Sequence, residues 1–242
     1  MRRDSVTITD FYEKPAALRA YALKQTYYTP YEASDEIAAG RKRPTWWATQ
    51  FKAYESCPLK SDRRLIGALE FAVGEKIDMD HWRGSYPVDQ DNRPLTLRSD
   101  RTNTCLWNCG FHVKPKTGQR VGDGIHNHVT DSWNSVGHDG WAGLVYLTPD
   151  APLEGGLHLW RHRDPSRQFE WMSSGENWQK VDTFGNVFNR LILVRGDRPH
   201  SGADGWGASI EEGRLYQTFF FKTIGRKKMA SLSTTAGVLS VA

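Results

Sequence analysis

The sequence predicts a mainly β fold of the α+β type, a jelly roll with an α-rich N-terminal part packed on it. Three observations carry this. Short β-rich runs crowd the second half of the chain: Trp141 to Thr148, Leu157 to Trp160, Val187 to Val194 and Leu215 to Lys222. Each is bounded by Gly, Pro, Asp or Asn. No helical pattern separates them, which favours an antiparallel sandwich or barrel over a parallel sheet wound through helices.

Taken in order, the elements begin with a helix. Asp10 can cap it, and Pro15 to Leu23 is rich in helix formers with apolar residues at helical spacing. Residues 28 to 50 are turn-rich and aromatic. A second helix is expected over Arg63 to Ala72, with Leu65, Leu69 and Ala72 on one side. Pro149-Asp150 and Glu154-Gly155-Gly156 supply turn chemistry between the later strands. No internal repeat or linker divides the chain. One domain over 1–242 is expected: a helical or irregular part at 1–100, a jelly-roll core at 101–225 and a tail at 226–242.

Composition narrows the function classes. A chain of 242 residues can bury a core without a disulfide or metal staple. Its 32 basic and 28 acidic residues give a net charge of +4, too balanced to argue for nucleic acid. The basic clusters Arg41-Lys42-Arg43 and Arg226-Lys227-Lys228 read as solvated surface. No apolar run approaches the ~18 residues of a membrane span. The opening Met1-Arg2-Arg3-Asp4 has charge but no apolar stretch behind it, so no signal peptide is expected. Three cysteines, Cys57, Cys105 and Cys109, fit a reducing cytoplasm. Cys105 and Cys109 lack a second pair and read as buried thiols rather than a zinc site.

The chemistry concentrates in a few places. In an extended strand, residues i and i+2 face the same way, so His126 and His128 of His126-Asn127-His128 could share one metal. Asp131, His138 and Asp139 follow closely. Farther on, the strand Asn189 to Val194 runs through a turn to His200. Arg214 opens the apolar run Leu215 to Phe221. A cation on an apolar strand is costly unless it pairs, and a ligand carboxylate held bidentately would serve. Glu211 or Glu212 could pair with it instead.

The order of these motifs resembles a known family. The His cluster, the strand Trp141-Ala142-Gly143-Leu144-Val145-Tyr146-Leu147-Thr148-Pro149, the Gly155-Gly156 turn, Asn189-Arg190-Leu191-Ile192-Leu193, His200 and Arg214-Leu215-Tyr216-Gln217-Thr218-Phe219-Phe220 are similar to the Fe(II)/2-oxoglutarate-dependent dioxygenases, within them to the prolyl-4-hydroxylase-like group. The resemblance covers roughly residues 100 to 222, and the opening Ile8 to Pro15 is similar too. It implies a double-stranded β-helix, Fe(II) and 2-oxoglutarate as cofactors, and hydroxylation of a small molecule or peptide. It places His126 and His200 as metal ligands and Arg214 on the far carboxylate of 2-oxoglutarate, with Tyr146 as a further donor to that acid.

The chain departs from the family at the carboxylate. The family reads His-x-Asp or His-x-Glu; here His128 stands in that place. Three sources for the third ligand stay open: His128 itself, Asp131, or a motif elsewhere such as His162-Arg163-Asp164. His162 reads as a surface residue between Arg161 and Arg163. A cupin-like three-His oxygenase without 2-oxoglutarate and a non-catalytic carbohydrate- or peptide-binding jelly roll are the competing readings. Of the ten Trp, Trp141 and Trp160 fall on predicted strands. Trp46, Trp47, Trp133 and Trp206 fall in loops, where some are expected to line an apolar substrate pocket.

Overall fold

The computed structural model describes residues 3–29, 45–49, 52, 54–84, 107–129, 134–169 and 175–224. Asp131, Cys105, Trp133, the clusters at 41–43 and 226–228 and the expected tail lie outside these residues.

Helix α1 (Pro15–Leu23) forms where expected, but Asp10 does not cap it. The N-cap position is Lys14, without a side-chain cap, and Asp10 sits in a turn at φ 54°. Pro15, whose ring presets the helical φ, fixes the start of the helix, which leaves Asp10 outside its first turn. Helix α2 (Arg63–Val73) has a full set of signals. Asp62 accepts from the Arg64 backbone N–H at its start, and Gly74 ends it at φ 71°. Its apolar face buries Leu65, Ile66, Leu69, Ala72 and Val73. A short helix α3 (Met79–Arg83) follows.

Ten strands among the described residues form two antiparallel sheets. They are β1 (Ser5–Ile8), β2 (Tyr27–Tyr28), β3 (Trp47–Thr49), β4 (Phe111–Lys114), β5 (Trp141–Tyr146), β6 (Leu157–His162), β7 (Trp178–Phe184), β8 (Leu191–Arg195), β9 (His200–Gly202) and β10 (Arg214–Phe221). The large sheet runs β1-β8-β5-β10-β4-β3-β2 and the small one β7-β6-β9. From β4 onward the chain passes back and forth between them, with His126 bridging to β9 on the small sheet before β5 returns to the large one, and with β6 and β7 consecutive on the small sheet. This is a double-stranded β-helix, a jelly roll.

Period-two alternation sorts the large sheet's side chains. One face carries Val145, Leu191, Leu193, Leu215, Phe219 and Phe221 into a core with Leu18, Leu65, Leu69 and Trp82 of the helices. The other face sets Leu144, Tyr146, Ile192 and Val194 against Leu157 and Leu159 of the small sheet. Tyr146 and Arg214 meet on that inner face.

Two findings differ from expectation. The first hundred residues contribute three strands, β1, β2 and β3, to the large sheet. Trp47, expected in a loop, lies on β3. These strands are two to four residues long and gain their order from neighbours distant in sequence, so they carry little periodicity of their own.

A buried ion pair ties the sheet to the helices. Arg195 Nη2 donates to Glu75 Oε1 at 2.7 Å, with side chains 5% and 8% exposed. The guanidinium also lies 3.9 Å from the Trp141 ring centroid, and Thr223 donates to Glu75. Burial pushes the Glu75 carboxyl up, but hydrogen bonds from Arg195 and Thr223 together with the Arg195 charge outweigh it and hold it below the usual range. A depressed folded pKa gives stability that is present above the unfolded value and lost as pH falls through the folded one. Glu75→Gln is therefore expected to lower stability by about 2 kcal/mol at neutral pH, with the difference from wild type closing in acid below the carboxylate range. Urea melts at pH 7 and in that acid range check it; a constant offset would exclude the charge as its cause.

Candidate metal centre

The centre is built from two backbone pairings. The His126 N–H donates to His200 O at 3.0 Å and the His200 N–H returns to His126 O at 2.8 Å. Two residues on, the His128 N–H donates to Gly196 O at 2.7 Å, and His128 O accepts from Val136 N–H. The segment thus bridges to the start of β9 at His126 and to the turn before it at His128, which brings both rings toward His200.

The three imidazoles converge. Ring centroids lie 4.5 Å apart for His126–His200 and 5.1 Å for each of the other two pairs. One nitrogen from each lies within 4.8 Å of the others, close enough for a single divalent ion. His126 Nδ1 meets Gly124 O and His200 Nδ1 meets Arg198 O, both at 2.8 Å. A ring nitrogen facing a carbonyl carries the proton, so Nε2 is the nitrogen that could take a metal in both. Burial, then the neighbouring His126 and His128, push the His200 pKa well down, which keeps it neutral. Three imidazole donors suit a first-row transition metal such as iron, nickel or zinc.

Of the sources for a third ligand, the structure brings His128 to the other two; Asp131 lies outside the described residues. The motif at His162-Arg163-Asp164 does not take part. His162, read as a surface residue, is buried against Trp178 at 4.8 Å, with Nδ1 2.7 Å from Asp164 O. It ends β6 pointing away from solvent, while Arg161 and Arg163 carry the exposure. His138 pairs with Asp197 at 3.8 Å instead of joining the cluster.

Arg214 and Tyr146 meet on the inner face. Arg214 is 2% exposed, and Nη2 lies 3.4 Å from the Tyr146 hydroxyl and 3.1 Å from Gly156 O. Nη1 lies 3.4 Å from Ala203 O. Among the described residues no carboxylate pairs with it, Glu211 and Glu212 being exposed, and its Nε has no hydrogen-bond partner. The Tyr146 and Tyr216 rings flank the guanidinium at 5.4 and 5.1 Å. Gly202, two residues past His200, explains the fit: a Cβ there would lie 2.9 Å from Arg214 Nη1.

Sequence reasoning missed His112. It is buried on β4, stacked between Trp46 at 5.0 Å and Tyr216 at 5.4 Å, and burial lowers its pKa to about 3. Trp46 thus packs inside the barrel, and Trp206 lies half-buried against Gly155.

No family model and no curated protein matches the sequence. Solved structures do. One is an oxidoreductase of the 2-oxoglutarate–Fe(II) oxygenase family from Burkholderia pseudomallei, 12% identical, covering 90% of this chain and 84% of that one at a TM-score of 0.48. A second is HygX from Streptomyces hygroscopicus with nickel and 2-oxoglutarate bound, 13% identical over 98% and 91% of the two chains, TM-score 0.48. A third is a Pseudomonas putida prolyl-4-hydroxylase, 13% identical over 92% and 94%, TM-score 0.41. The chain resembles 2-oxoglutarate–Fe(II) oxygenases. None of the helices is long and apolar enough to cross a membrane among the described residues.

Proposed function

We propose that the protein is an iron(II)- and 2-oxoglutarate-dependent oxygenase that hydroxylates a small molecule or peptide. His126, His128 and His200 hold the metal; Arg214 and Tyr146 hold the far carboxylate of 2-oxoglutarate. One observation carries this reading: the three imidazoles and the buried Arg214 guanidinium lie along one strand face, at His200 and against Gly202. Two residues of strand rise, roughly 6.6 Å, separate the two positions. A five-carbon diacid that binds metal through its 2-oxo acid end and a cation through its other carboxylate suits that span.

When bound, iron(II) and 2-oxoglutarate supply the oxidation: one O₂ is consumed, 2-oxoglutarate becomes succinate and CO₂, and a substrate C–H becomes C–OH. The chain's residues prepare it. The carbonyls of Gly124 and Arg198 fix the ring orientation of His126 and His200. Arg214, with no carboxylate partner among the described residues, offers its charge to the acid, and the Tyr146 hydroxyl stands beside it. Leu144, Ile192 and Leu159 keep the inner face dry, which strengthens that pairing.

The all-imidazole donor set favours a second reading, a three-His oxygenase that needs no 2-oxoglutarate. An anaerobic titration of the protein with Fe(II) and then 2-oxoglutarate separates them. The expected result is a visible charge-transfer band in wild type and its loss in His126→Ala. Stoichiometric iron without such a band, and turnover without succinate, would favour the second reading. Absence of bound metal would leave a non-catalytic jelly roll.

A further inference from the structure

Lys114 lies directly opposite Arg214 in the register of β4 and β10. Opposed residues of an antiparallel pair share a face, so both cations point to the inner side of the barrel. Like charges in that position repel. The local acids do not relieve them. Asp204 is engaged by the Thr117 hydroxyl and by the backbone N–H groups of Thr117, Gly118 and Gly205. Asp123 faces Arg120 and accepts from its backbone N–H. Among the described residues neither Lys114 nor Arg214 forms an ion pair. The Lys114 ammonium instead donates to Gln119 Oε1. Gln119 Nε2 donates to Asp123 O at 2.7 Å and approaches Gly202 O at 3.5 Å, beside the Arg214 guanidinium. Lys114, Gln119 and Arg214 therefore gather beside Gly202, two residues along β9 from His200.

We propose that Lys114 is a second binding residue, forming with Arg214 a two-cation seat for the terminal carboxylate of the acid that binds beside the three histidines. Naming that acid 2-oxoglutarate rests on the function proposed above; the seat itself does not. The charge state agrees with the geometry. Burial, then Arg214, lower the Lys114 pKa to about 8 against the opposing pull of Asp204 and Asp123, so the ammonium is charged at neutral pH at a cost. A carboxylate between the two cations removes that cost, and Gln119 is placed to yield its hydrogen bond to the incoming oxygen.

The test uses full-length wild type and Lys114→Met, whose side chain keeps the length and apolar stem without the charge. Both are titrated anaerobically with Fe(II) present, using 2-oxoglutarate and 2-oxobutanoate, which has the same metal-binding end and no far carboxylate. Lys114→Met is expected to weaken 2-oxoglutarate about tenfold and leave 2-oxobutanoate unchanged. The ligand-free variant is expected to melt at or above the wild-type temperature, because a like-charge pair has been removed; a merely structural lysine would lower it. Unchanged 2-oxoglutarate affinity, or equal weakening of both acids, overturns the seat. If wild type binds neither oxo acid, succinate is titrated without metal. Binding that depends on Lys114 then keeps the seat and removes the oxygenase reading; no binding removes both.

Discussion

His200→Ala is expected to leave the protein without stoichiometric iron and to abolish succinate formation. The variant removes one of three donors but keeps the backbone exchange between residues 126 and 200, so the small-sheet edge survives. Outer groups that merely orient a ligand already cost 10–100-fold in metal affinity, so loss of a ligand should exceed about 100-fold. Metal content after dialysis and succinate yield check this, with far-ultraviolet circular dichroism as the fold control. His162→Ala serves as a comparison, since His162 packs on Trp178 and lies outside the cluster. Full iron retention in His200→Ala, or equal loss in both variants, would remove the three-histidine assignment.

Arg214→Ala is expected to weaken 2-oxoglutarate by roughly 100-fold or more while leaving iron content near wild type. The size follows from burial: a carboxylate meeting a 2% exposed guanidinium is screened by protein rather than water. Arg214→Lys should recover part of the loss, because a point charge replaces a planar fork. The measurement is the 2-oxoglutarate dependence of the charge-transfer band. Turnover at wild-type rate with unaltered 2-oxoglutarate dependence would remove that cofactor from the reading.

Much of this was legible in the sequence, for physical reasons that differ by element. Strands β5, β8 and β10 are buried on both faces and read as continuous apolar runs. Strand β7 did not declare itself, because most of Trp178–Phe184 is solvent-facing and the run carries Lys180 and Asp182. His126 and His128 were visible as a pair because a two-residue spacing in a strand has one geometric meaning. That His128 rather than His162 joins His200 depends on which segment bridges β9, a contact over more than seventy residues. Lys114 was invisible for the same reason. Nothing local marks it; its meaning comes from standing opposite Arg214 across a sheet register.

The reciprocal pairing of His126 with His200 has a consequence for the cost of capturing an ion. Two of the three donors belong to one hydrogen-bonded backbone unit, and both rings are pinned by carbonyls within their own segments. Little main-chain or rotamer entropy remains to be lost on ligation, so most of the gross coordination energy is kept as affinity. By the same logic, a metal held there would not be released by a small side-chain swing at these two positions. Exchange of an ion held there would have to wait for the small sheet to open at that edge, which would make residence time a property of the scaffold rather than of the imidazoles.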